Sequence, residues 1–204
     1  MGKFIRQKVD GSTKKFGNKK CIVDGINFDS QLEGYAYSRF KLLNIKFELK
    51  PQYDTVDSFQ YKGETIRKVS SFPDFYLIDY DIIVDTKGQA NDVAPLKFKL
   101  LKYHLMSRNL NPEIIWLKNR KEIDKFIIDI GSPYEYKNNQ IDICMSYLIK
   151  KKMIKSFLYS DDNLSIVLSK RATESKKQEV ESYILSFLST KLFEKLITNY
   201  TYEQ

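Results

Sequence analysis

Ser71-Phe72-Pro73-Asp74-Phe75-Tyr76-Leu77-Ile78-Asp79-Tyr80-Asp81-Ile82-Ile83-Val84-Asp85-Thr86-Lys87 is the stretch on which the reading of this chain turns. Aliphatic and aromatic residues fill Ser71–Ile78 and Asp81–Lys87, and only the short polar link Asp79-Tyr80 parts them, which predicts a β-hairpin. Centred between Asp79 and Tyr80, that hairpin sets Asp74 directly opposite Asp85. Cross-strand partners project from one face with Cβ atoms roughly 5 Å apart. Lys87, two positions past Asp85, projects from the same face. Asp79-Tyr80 is not a favoured two-residue turn, and a slip of one residue would part the two aspartates. Two readings of the face stand side by side. It is either a solvated strand surface with an Asp–Lys pair, or a site where two crowded carboxylates are reconciled by a divalent cation. The second is the arrangement that metal-assisted phosphodiester cleavage requires. Carboxylate oxygens hold the metal, and a neighbouring ammonium orients water and offsets phosphate charge.

Composition narrows the alternatives. The single histidine, His104, argues against a His-centred nucleophilic triad or a multi-His zinc site. No Gly-rich phosphate loop is present. Cys21 and Cys144 lack metal-ligand spacing and read as reduced thiols of an intracellular protein. No apolar run approaches the ~20 residues of a membrane span, so a cytoplasmic protein without membrane contact is expected (the host cytoplasm, if phage-encoded). The net charge of +8 is uneven: residues 1–20 hold seven basic side chains and one acidic, while residues 21–150 hold 18 of each. A basic arm on a neutral body suits a polyanion-binding protein. The same lysine excess would also follow from the codon bias of an A·T-rich genome.

Three segments are expected: a basic arm over residues 1–20, an α/β core over 21–131 and a C-terminal extension over 132–204. In the core, Cys21–Asn27 reads as a strand with a turn at Asp24-Gly25. A helix follows from Asp29 or Ser30 to Asn44, with Leu32, Ala36, Phe40 and Leu43 as its apolar stripe. Ile45–Val56 reads as a strand interrupted at Pro51, and Phe59–Val69 as a loop and strand turning at Lys62-Gly63. After the hairpin come a helix over Asp92–Arg108, a strand at Glu113–Leu117 and a helix over Arg120–Ile130. In the first of these helices Leu96, Leu100, Tyr103 and Met106 share one side. Gly131-Ser132-Pro133 marks the boundary. Beyond it the pattern gives a helix over Gln140–Lys152, a hairpin over Ile154–Leu168 and one long helix over Thr173–Asn199. That order fits a winged-helix-like DNA module or a dimerisation element.

Glu33, in Phe28-Asp29-Ser30-Gln31-Leu32-Glu33, is the third acid. By local pattern Ser30-x-x-Glu33 is a capping box, in which Glu33 would accept the Ser30 backbone N–H. Yet Phe-Asp-Ser-x-Leu-Glu on a helix, then Pro73-Asp74, then Asp85-x-Lys87-Gly88, resembles the PD-(D/E)xK nuclease superfamily. Within it the chain is most similar to a phage-borne branch of small nucleases and to the phage endonuclease I family of Holliday-junction resolvases. Asn18-Lys19-Lys20, Val23-Asp24-Gly25, Tyr61-x-Gly63 and Ile66-Arg67 add to the former likeness. The resemblance spans Asn18 to Leu117, and the residues after Gly131 match neither relative.

The resemblance implies a restriction-endonuclease-like core of helix, mostly antiparallel mixed sheet, helix and strand, and the pattern beyond it adds a mainly helical extension. It implies a Mg²⁺-dependent endodeoxyribonuclease, with Mn²⁺ able to substitute, acting on DNA and on branched DNA such as Holliday junctions in particular. Glu33, Asp74, Asp85 and Lys87 would be catalytic. Asp74, Asp85, Glu33 and the Thr86 carbonyl would bind metal, and Lys87 would position the attacking water. Gln89 would border the site. Lys14, Lys15, Lys19 and Lys20 of the arm and Lys97, Lys99 and Lys102 of the following helix would contact DNA, although a solvated helix face accounts for the last three equally well. A homodimer would suit symmetric cutting of two strands. The rival expectations are a sequence-specific homing or restriction endonuclease, and a non-catalytic DNA-binding protein on the same fold.

Overall fold

The computed structural model describes residues 19–87, 93–160, 162–169, 172–188 and 196–202. The chain forms two compact units, one holding the residues up to His104 with Ile114–Asp129, the other holding Leu105–Glu113 with the residues from Ile130 onward.

In the first unit, β1 (Cys21–Val23) and β2 (Ile26–Phe28) form a hairpin. Asp24 and Gly25 turn it with φ of 51° and 80°, the left-handed pair that matches strand twist. Helix α1 (Gln31–Leu42) follows, its first turn capped by the Ser30 hydroxyl, which accepts the Glu33 N–H. Its buried face is Glu33, Gly34, Ala36, Tyr37 and Phe40. Ala36 and Phe40 are where the periodicity placed them, but Leu43 is exposed just past the helix end and Tyr37 turns inward instead. Gly34 is needed for close approach, since a Cβ there would lie 2.6 Å from Cys21 Sγ.

The strand expected over Ile45–Val56 is two strands, β3 (Phe47–Leu49) and β4 (Tyr53–Val56). Lys50 breaks it with a left-handed φ of 50°, and Pro51 lacks an N–H for a ladder. Next come β5 (Phe59–Tyr61), β6 (Glu64–Ile66), β7 (Val69–Ser71), β8 (Phe75–Leu77) and β9 (Ile82–Thr86). Helix α2 (Ala94–Ser107), strand β10 (Glu113–Leu117) and helix α3 (Arg120–Ile130) complete the series. A four-stranded sheet in the order β10-β9-β8-β3 forms the centre. Every residue of β9 is buried, as expected of a strand covered on both faces. Phe40, Phe47, Phe75 and Phe126 pack edge-on or tilted in one aromatic cluster between helices and sheet.

The apolar side expected of α2 is corrected. Leu96, Tyr103 and Met106 are exposed, while Ala94, Leu101, His104 and Leu105 are buried. Apolar residues occur all round this helix, so their spacing did not single out one face.

In the second unit, α4 (Pro133–Lys150) starts seven residues before the expected Gln140. Ser132 and Glu135 form a capping box with Pro133 in the first turn. Strands β11 (Ser156–Ser160) and β12 (Asn163–Leu168) make the expected hairpin. The long helix expected over Thr173–Asn199 is instead α5 (Glu174–Phe187) and a strand, β13 (Ile197–Tyr202), parallel to β12. Alternating β-branched and aromatic residues in Ile-Thr-Asn-Tyr-Thr-Tyr account for the strand. The extension therefore contains a three-stranded sheet, β11-β12-β13, beside α4 and α5, which hold the larger share of its described regular structure. Its core is Ile141, Cys144, Met145 and Leu148 of α4 against Leu164, Ile166 and Leu168 of β12 and Val180 and Ile184 of α5. Among the described residues no helix is long and apolar enough to cross a membrane.

Candidate active site

The hairpin β8–β9 keeps the register that the sequence suggests. Phe75 pairs with Val84, Tyr76 with Ile83 and Leu77 with Ile82, so one step further Asp74 faces Asp85. The connection is longer than a two-residue turn: it runs over residues 78–81 and closes on Asp81 with φ of 51°. Both aspartates are buried. Asp74 accepts the Thr86 N–H at 2.7 Å and the Thr86 hydroxyl at 2.6 Å on the same Oδ2. Burial, then the nearby charges of Asp85 and Glu33, push its carboxyl up from 3.8 to about 7, against the pull of the Thr86 bonds.

Lys87 meets the acids as expected. Its ammonium donates to Asp85 Oδ2 at 2.7 Å, and 39% of its side chain is exposed to solvent. The same Asp85 oxygen accepts Trp116 Nε1–H at 3.0 Å. The Lys87 ammonium also lies 5.9 Å from the Trp116 ring centre, and Phe98 packs against that ring at 4.2 Å. Trp116 was not foreseen. It is the chain's one tryptophan, but nothing in the pattern of Glu-Ile-Ile-Trp-Leu ties it to a site 31 residues away.

Glu33 sits at the buried start of α1. The capping box is half formed: Ser30 Oγ accepts the Glu33 N–H at 3.1 Å, but Glu33 Oε2 accepts the Asp29 N–H at 3.3 Å and not that of Ser30. Burial raises the Glu33 pKa, opposed chiefly by Lys50. Lys50 is the second residue the sequence did not reveal. Its ammonium lies 2.8 Å from Asp29 Oδ2 and 3.8 Å from Glu33 Oε2, and its N–H donates to the Asp74 carbonyl at 2.9 Å. One residue thus ties α1 to the hairpin. Asp29, held by this lysine, has its pKa lowered.

The acids fit a hard divalent cation in kind. The donor set is all oxygen, and a buried carboxyl crowded by two others is what such an ion relieves. No group of three or more His, Cys, Asp or Glu side chains among the described residues is arranged to hold a metal ion. Mg²⁺ does not demand such a cage: one or two carboxylates, water and substrate phosphate commonly suffice.

The remaining candidates lie away from this cluster or outside what is described. Lys97, Lys99 and Lys102 are exposed on α2. At 100° per residue Lys99 and Lys102 share a side and Lys97 does not. Lys19 and Lys20 are exposed, with Lys20 3.7 Å from Asp29. Lys14, Lys15 and Gln89 lie outside the described residues, as does most of the basic arm. Cys21 and Cys144 are free thiols, and burial pushes Cys144 up to about 12. His104 is buried against Tyr53.

Over residues 13–121, just over half of its length, the chain matches a family described as protein of unknown function (DUF1064). No curated protein and no solved structure matches it.

Proposed function

We propose that this chain, which belongs to the DUF1064 family, is a metal-dependent DNA endonuclease with a restriction-endonuclease-like core of the PD-(D/E)xK type. One observation carries the reading: the β8–β9 register opposes Asp74 to Asp85 and sets Lys87 in contact with Asp85. Asp74, Asp85 and the Thr86 carbonyl would bind Mg²⁺, with Glu33 a ligand directly or through water. The metal would supply an activated water and charge stabilisation for phosphodiester hydrolysis.

The chain's own residues do the rest. Thr86 aims the Asp74 carboxylate through two hydrogen bonds, and Trp116 fixes Asp85 through its indole N–H. Lys87, half-exposed, orients the attacking water and offsets charge as it develops on the phosphate. Branched DNA is the substrate favoured by the likeness to junction resolvases. A sequence-specific endonuclease would give discrete bands on long duplexes and no preference for junctions.

The test is cleavage of a four-way junction and of its component duplexes with Mg²⁺ or Mn²⁺. Cleavage by the wild type, reduced at least a hundredfold by Lys87→Ala and by Asp74→Asn, is expected. Intact junction, supercoiled, linear and single-stranded DNA with both metals would leave only a non-catalytic DNA-binding role.

A further inference from the structure

The chain between Lys50 and Asp74 forms a two-stranded ribbon whose outer half is exposed. β4 pairs with β7 and β5 with β6, all antiparallel. Past an irregularity between Asp54 and Val56, the pairs Val56–Val69 and Phe59–Ile66 keep one register. The two ladders are therefore a single ribbon. Lys62 and Gly63, with φ of 48° and 85°, close its tip. Nine residues from Tyr53 to Tyr61 span roughly 30 Å. Within residues 57–68 every residue but Ile66 is exposed. Phe59 and Tyr61, 49% and 57% exposed, stand two apart on one face, and the Gln60–Thr65 hydrogen bond of 2.8 Å occupies the other. Lys62 lies 5.8 Å from the Tyr61 ring centre. A lone hairpin is marginal in water, and aromatic residues displayed along one mark a contact surface.

The root of the ribbon is the candidate active site. Lys50, whose N–H bonds the Asp74 carbonyl, lies three residues before β4, and Asp74 lies three residues after β7. Whatever the ribbon clasps is held beside the acids. A two-stranded ribbon is of a size to enter the DNA major groove, which is about 12 Å wide. Residues 57–68 are close to neutral, with Asp57 and Glu64 against Lys62, Arg67 and Lys68, and Lys68 is paired with Asp54. The ribbon is thus suited to contact bases more than to neutralise phosphates.

We propose that the ribbon is a DNA-holding arm that lies in a groove of the duplex flanking the cleaved bond, with Phe59 and Tyr61 against the bases and Lys62 at the leading tip. This rests on the nuclease reading for the identity of the polymer. The test uses full-length Asp74→Asn protein and fluorescence anisotropy with a labelled 30-base-pair duplex across a salt series. Replacing both Phe59 and Tyr61 by Ser removes their apolar contact with base edges and thymine methyls and weakens binding about tenfold, with an unchanged salt slope and melting temperature. The swap Phe59→Tyr with Tyr61→Phe keeps affinity within about twofold, the apolar ring area against the base edges being retained. Parent-like affinity of the Ser pair overturns the proposal. So does a parent that does not bind duplex DNA, or a Ser pair whose sedimentation shows a dimer falling to monomers, which would make the ribbon a subunit interface. Ribbon-dependent binding by a wild type that cleaves nothing leaves the arm standing and sinks the nuclease reading.

Discussion

Asp74→Asn should stabilise this protein at neutral and alkaline pH in the absence of divalent cations. The Asp74 carboxyl is held at about 7 in the folded chain against an ordinary 3.8. A carboxyl whose pKa is raised by folding favours the folded state only while it is protonated. That contribution is complete below pH 3.8 and is lost as pH rises through about 7. The difference corresponds to roughly 4 kcal/mol above pH 8. Asn keeps an acceptor for the Thr86 N–H and carries no charge. Urea unfolding of the metal-free wild type and variant, at intervals from pH 4 to pH 8.5, measures the difference. The two should agree within about 1 kcal/mol near pH 4, and the variant should lead by about 2–4 kcal/mol at pH 8.5. Saturating Mg²⁺ should narrow the gap from the wild-type side. A stability difference that does not change with pH, or a wild type more stable than the variant at pH 8.5, would refute the argument that burial, with Asp85 and Glu33 nearby, raises the pKa of this group.

Three further outcomes follow from other parts of the molecule. Because Trp116 is the one tryptophan and bonds Asp85 directly, Mn²⁺ should quench its fluorescence saturably, and Asp85→Asn should abolish that response. Trp116→Phe, which removes the indole N–H, should raise the Mg²⁺ concentration for half-maximal cleavage about tenfold; an unchanged metal requirement would exclude an orienting role. Gly34→Ala should cost about 1–3 kcal/mol in chemical denaturation, since the new methyl meets Cys21 Sγ at 2.6 Å and Val23 Cγ2 at 3.2 Å, whereas Gly25→Ala meets no side chain and would report only backbone strain.

The acid pair was legible because strand register is arithmetic. Once Phe75-Tyr76-Leu77 and Ile82-Ile83-Val84 are read as strands, the position of Asp74 against Asp85 depends only on the centre of the turn. The α1 cap was legible for a similar reason: Ser30 and Glu33 act within one turn of helix. Lys50 and Trp116 were not, since their roles depend on long-range packing that no local period encodes. In α2 the apolar residues encircle the helix, and only the burial of Ala94 and Leu101 shows which side is covered. The start of α4 carried its signals in Ser132, Pro133 and Glu135, but Gly131 and Pro133 drew the reading toward a boundary. The strand β13 was lost because a lysine- and leucine-rich stretch precedes it and extends the helical pattern toward it.

Lys50 is a position where backbone and side chain ask for different residues. Its left-handed φ of 50° favours glycine, and holding a lysine there costs on the order of 1–2 kcal/mol. Its ammonium, meanwhile, is the cation held against Asp29 and close to Glu33. Selection for thermostability alone would drift toward Gly at this point and remove the ammonium that lies close to both Asp29 and Glu33. Lys50→Gly and Lys50→Met separate the two demands. Both lose the charge, and only the first relaxes the backbone, so their difference in unfolding free energy measures the strain of carrying a side chain at this φ.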